Sequence, residues 1–227
     1  MAKGARGGKR GAGGSSYKGK ITLSNGESIE FDGELRYGKD DASLTGFYRT
    51  TIESWESKRG KNKIEYAYAL DDEGIPMGEI RGGKGSVRVP PWYHDGRDSI
   101  FTHNHPREQG YLGGTFSDAD LYNFATGRNK TFRARAKEGT YSISRKSNFK
   151  QNEFKKYVKE VNDKFDKNYS SKMRKLQAEV RAGNLNRENF HKEAGKAFNT
   201  SLIELHNDYQ AGQKKYGYDY TLERNKA

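Results

Sequence analysis

Apolar residues recur along the chain in two periods, and the change from one to the other near Asn148 divides it. Before that point, short runs alternate apolar and polar positions, the two-residue repeat of a strand with one buried face. Ile21, Leu23, Ile29 and Phe31 alternate on either side of Ser24-Asn25-Gly26-Glu27, whose Asn-Gly pair predicts a hairpin turn. Residues 64–70, 76–80 and 86–89 read as three further strands, with Gly82, Gly83 and Gly85 supplying a tight bend. Residues 131–136 and 140–144 read as two closing strands around Lys137-Glu138-Gly139. A single helix interrupts this region over residues 44–58, where Leu44, Phe47, Tyr48, Ile52 and Trp55 fall at helical spacing.

After Asn148 the period lengthens. Phe154, Tyr157, Val158, Val161, Phe165, Tyr169, Met173, Leu176 and Val180 lie three or four apart, the stripe of a long amphipathic helix. Gly183-Asn184 breaks it. A second helix from Asn186 carries Phe190, Ala194, Ala197, Phe198, Leu202, Leu205 and Tyr209. Two such helices are expected to pack antiparallel. The fold class is therefore α+β. Residues 1–17 form a basic Gly-rich tail expected to be disordered, 18–147 a mixed domain, and 148–227 a helical hairpin appendage.

Composition narrows the picture. Only 32% of the 227 residues are hydrophobic and the mean hydropathy is −1.13, so the core is small for the length. No apolar run is long enough to cross a bilayer and none resembles a signal peptide, so no membrane partner is expected. The absence of cysteine excludes disulfides and thiolate metal sites and fits a reducing cytoplasm. The net charge is +12. Residues 1–20 carry Lys3, Arg6, Lys9, Arg10, Lys18 and Lys20 with no acid, which favours a weak polyanion or nucleic-acid contact there. Residues 148–227 carry 17 Lys and Arg against 11 Asp and Glu, a surplus that a solvated helix face also explains.

The chemistry concentrates in Phe101-Thr102-His103-Asn104-His105-Pro106 and the later Ser117-Asp118-Ala119-Asp120-Leu121. Residues 99–102 read as a strand, and on a strand positions i and i+2 face one side, so His103 and His105 can reach one metal ion. Pro106 ends the ladder. Ser117 is a good N-cap, and Ser-x-x-Asp places Asp120 in the first turn of a helix, where it can complete a capping box. Two imidazoles and a carboxylate are also the ligand set of a catalytic zinc with one position left for water. His94, in the loop before the strand, reads as an ordinary loop histidine, with a third imidazole near the metal as the alternative. His191 and His206 lack ligand spacing and read as surface or seam residues. The glycines at 82–85 lack the Lys-Ser/Thr pair that a phosphate-cradling loop needs.

His103-Asn104-His105-Pro106 followed by Ser117-x-x-Asp120 resembles the JAMM (JAB1/MPN) metalloprotease motif, and its spelling is most similar to bacterial and phage members, including the RadC-like branch. The resemblance covers about residues 64–145. It implies a curved mixed β-sheet flanked by helices, zinc held by His103, His105 and Asp120, and Ser117 hydrogen-bonding the oxyanion or the water. It also implies a glutamate general base from an earlier strand. Glu65 fits that place, ahead of the turn at Asp71-Asp72-Glu73-Gly74, and Glu79 is its rival. The implied activity is hydrolysis of a peptide or isopeptide bond in a polypeptide substrate such as a ubiquitin-like or viral protein tail, in the host cytoplasm or a virion. Two other expectations stand beside it. One is a phage or prophage assembly protein using the domain as an interaction scaffold. The other is a DNA-binding accessory, resting on charge and the RadC-like likeness.

Overall fold

The computed structural model describes residues 16–96 and 98–225. Residues 1–15 of the expected tail lie outside them, as does most of the proposed polyanion contact, while Ser16 and Tyr17 belong to the first strand. The architecture is α+β. A two-stranded antiparallel ribbon, β1 (Ser16–Thr22) with β2 (Ser28–Arg36), precedes helix α1 (Gly46–Arg59). There follow β3 (Tyr66–Leu70), β4 (Pro76–Arg81), β5 (Ile100–Asn104), helix α2 (Asp118–Thr126), β6 (Thr131–Arg135) and β7 (Gly139–Arg145). Helices α3 (Gln151–Arg181) and α4 (Arg187–Tyr216) come next, and β8 (Tyr218–Arg224) closes the order. The main sheet runs β4-β3-β5-β6-β7-β8, with β5 and β6 parallel and every other pair antiparallel.

Two expectations need correction. The strand expected at 86–89 is absent: after β4 the chain turns back on itself, with Gly83 N–H donating to Ser86 O at 2.8 Å, and among the described residues the segment joins no strand ladder. Nor is the region 148–227 only a hairpin appendage. Gly217 adopts φ 73 at the end of α4, and a Cβ there would meet Asn148 O at 2.5 Å, so glycine permits the sharp reversal into β8. β8 then pairs with β7 along its whole length, from Gly139↔Arg224 to Arg145↔Tyr218. The hairpin is thus anchored through the sheet. Elsewhere the helical hairpin forms as expected, with Asn186 capping α4 by accepting from Asn189 N at 2.8 Å.

The sheet has two unlike faces. On one, Ala67, Phe101, His103, Phe132, Ala134, Tyr141, Ile143, Tyr220 and Leu222 lie under α2, α3 and α4 and form the main core. Burying each large side chain there contributes about 1.5–3 kcal/mol. His206 of α4 belongs to this layer rather than to the surface. It is fully buried, hydrogen-bonded through Nδ1 to Tyr220 Oη at 2.9 Å and through Nε2 to Arg36 O at 3.1 Å, and burial holds its pKa down at about 4. On the other face, α1 covers a polar layer. Arg133 is completely buried and bonded to Glu56 (2.7 Å), Asp41 (3.2 Å) and Glu223 (3.1 Å), with Thr102, Thr140 and Ser142 completing the network. The carboxylates around the guanidinium keep it charged despite a burial that opposes charge.

Candidate metal centre

Strand alternation and one aromatic contact chain set the site. Phe101 and His103 project to the helix-covered face, and Phe101 pairs with Phe132 across the parallel β5–β6 ladder, ring centroids 4.8 Å apart. Phe124 of α2 packs on Phe132 at 5.5 Å, while Leu121 and Ala125 are buried beside it. The apolar side of α2 is thereby fixed over β5, and the first turn of the helix comes down on the histidines. His105 stands one residue past β5, where its N–H still donates to Arg135 O at 2.8 Å, so it keeps the strand's parity before Pro106 stops the ladder.

The three side chains converge. His103 Nε2 and His105 Nε2 are 2.8 Å apart, His103 Nε2 lies 3.3 Å from Asp120 Oδ1, and His105 Nε2 lies 3.6 Å from Asp120 Oδ2. One ligand atom from each falls within 4.8 Å of the others, so the group could hold a metal ion. Bonds of about 2.0–2.1 Å in a tetrahedral site place ligand atoms about 3.3 Å apart, close to the two N–O separations here. A neutral His105 would suit a cation: its Nδ1 donates to Gly114 O at 3.2 Å, which leaves the Nε2 lone pair for a metal. Burial opposes charge at Asp120 and His103. Even so, Asp120 is held well below the ordinary carboxylate range by the charge and hydrogen bonds of His103 and His105, and Asp120 and Glu65 raise His103.

Ser117 caps α2, and the capping box is complete. Its Oγ accepts from Asp120 N at 3.2 Å, while its N–H (2.8 Å) and Oγ–H (2.7 Å) both donate to Asp120 Oδ2. Capping and ligand geometry are therefore one arrangement, because the cap orients the carboxylate. Glu65 immediately precedes β3 and shares the face of Ala67, which pairs directly with His103. It lines the same cavity, of about 430 Å³. Burial raises its pKa and the Asp120 charge adds to this, against the histidines and Arg107. Glu79 lies elsewhere. It pairs with Tyr68 on the opposite face and accepts from Trp55 Nε1 (2.7 Å) and Arg59 Nε (2.7 Å), which lower its pKa against the effect of burial.

Two further residues shape the site: Glu138, which the sequence reading places only in a turn, and His94, which it gives as a loop histidine or a third imidazole. Glu138, in the β6–β7 turn and buried, accepts from Gly113 N (2.9 Å) and Gly114 N (2.8 Å) and from Tyr141 Oη (2.7 Å). This clamp, with Asn199 of α4 accepting from Leu112 N at 2.9 Å, fixes the long loop that carries Gly114 O to His105. Gly114 sits at φ +83, and at Gly113 a Cβ would meet the Ala136 Cβ at 2.5 Å, so neither tolerates a side chain easily. His94 is the second. It is no member of the ligand group, yet it lines the cavity, donating from Nδ1 to Asn129 Oδ1 at 3.0 Å, and burial lowers its pKa.

Comparison of the chain with protein-family models, curated proteins and solved structures gives no match. Among the described residues no helix is long and apolar enough to cross a membrane.

Proposed function

We propose that the chain is a zinc-dependent peptidase or isopeptidase of the JAMM kind, its sheet and helices a variant of the JAB/MPN fold. One observation carries the reading: His103, His105 and Asp120 converge from two separate elements while Glu65 enters the same cavity from a third. Two histidines and a carboxylate suit ferrous iron as well as zinc. A buried glutamate beside the group favours hydrolysis, which needs a general base. A zinc ion held there supplies Lewis acidity and brings the pKa of a water down toward about 7.

The chain's own groups do the rest. Glu65 takes a proton from the attacking water and passes it to the leaving amine. Asp120 is held in place through Ser117 N–H even when the hydroxyl proton turns away, so that proton can swing into the cavity and donate to the developing oxyanion. His105 is kept in its tautomer by Gly114 O, and behind it by Glu138. Incubating the zinc-loaded protein with a peptide library is expected to give hydrolysis that a chelator abolishes and added zinc restores. Hydrolysis that persists in full after complete metal removal would refute the assignment.

A further inference from the structure

The cavity over the metal centre is not closed by the β-domain alone. Its far wall comes from the helical hairpin, through Phe165 of α3 and Phe198, Leu202 and Leu205 of α4. The three α4 residues stand at i, i+4 and i+7, one stripe of a helix. Leu202 and Leu205 are buried in the core, whereas Phe198 and Phe165 are only half-buried, so the apolar stripe runs out of the core and into the open cavity. Phe198 is held there from behind. Its ring meets Tyr169 at 5.5 Å, Tyr111 at 5.7 Å and Phe165 at 6.3 Å, all near edge-on. A side chain locked this way offers a fixed apolar surface at little ordering cost on binding. Asp118 and Asp166 line the same cavity and are exposed.

We infer that this hairpin wall is the specificity subsite of the enzyme: it receives an apolar side chain of leucine or phenylalanine size next to the scissile bond, and the Asp118–Asp166 rim rejects an acidic one. The inference rests on the metallopeptidase reading and adds to it the class of polypeptide recognised. The occupant follows from continuity, since the aromatic wall and the ligand group line one cavity, and a chain bound at the centre must lay a neighbouring side chain against it. It also assigns the hairpin a role: substrate selection.

The test uses the full-length, zinc-loaded protein and three capped aminoacyl hydroxamates, carrying glycyl, leucyl and aspartyl side chains, titrated by calorimetry. The leucyl compound is expected to bind about 10- to 100-fold more tightly than the glycyl one, and the aspartyl compound more weakly than either. Phe198→Ala and, independently, Phe165→Ala should each reduce the leucyl preference to within about threefold, with zinc content and glycyl affinity unchanged. Phe198→Leu should restore most of it, and Phe165→Ala gives the answer if Phe198→Ala fails to fold. Zinc-loaded wild type that binds the glycyl compound without leucyl preference overturns this inference and leaves the metallopeptidase reading standing. A protein that takes up no zinc and binds none of the three overturns both.

Discussion

Replacing Glu65 with glutamine is expected to lower kcat for peptide hydrolysis by about 10²- to 10⁴-fold, the usual worth of a positioned general base, with KM and zinc content little changed. Glutamine keeps the size and hydrogen-bonding capacity of the side chain but cannot carry a proton between water and amine. The backbone of residue 65 is held independently of the side chain, since its N–H donates to Gly83 O at 2.7 Å and its carbonyl accepts from Gly82 N at 2.8 Å, so the fold should not respond. Glu79→Gln, on the opposite face and bonded to Trp55 and Arg59, should leave kcat within about twofold of wild type because it does not touch the site. The opposite pattern would transfer the base to Glu79 and require a different register for β3 and β4.

Arg133→Met is expected to destabilise the protein by about 3–5 kcal/mol, because it leaves Asp41, Glu56 and Glu223 buried with their common cation gone. For a chain of this size that corresponds to a melting temperature lower by about 10 °C. The pH dependence identifies the cause. Burial already raises the Glu223 pKa against the pull of Arg133, and without the guanidinium it rises further above its unfolded value. The native state then binds more protons than the unfolded chain in the window between the two, and stability increases as pH falls through it. The deficit relative to wild type should therefore shrink between pH 7 and about pH 5. A deficit that stays constant with pH would point to lost packing rather than uncompensated charge. Thermal denaturation at several pH values decides between them.

The convergence of His103, His105 and Asp120 was legible in the sequence because its geometry is local. Positions 103 and 105 share a strand face by parity, and Ser117 fixes Asp120 within one helical turn, so only the meeting of the two segments had to come from packing. The helices of the hairpin were legible for the same reason, through long, regular apolar spacing. What escaped depends on register or distance. The face on which Glu79 lies follows from the pairing Tyr68↔Glu79, which no periodicity specifies. Glu138 reaches Gly113 and Gly114 only after the chain has crossed α2 and β6. Arg133 and its carboxylates come from four distant segments. β8 did carry a signal: Tyr218, Tyr220 and Leu222 alternate with Asp219, Thr221 and Glu223 directly after Gly217. A short alternating run behind a helix of 30 residues is easily read as that helix's frayed end. The segment 86–89 shows the converse, alternating apolar and polar residues without a partner strand among the described residues.

The most direct measurement is zinc uptake by equilibrium dialysis and elemental analysis, comparing wild type with His105→Ala and with His191→Ala, whose histidine is exposed on α4. The expected result is one zinc per chain for wild type and His191→Ala, and affinity weaker by at least about 100-fold for His105→Ala. A wild-type chain that takes up no zinc, or a His105→Ala chain that holds it as tightly as wild type, would contradict a metal centre built from His103, His105 and Asp120.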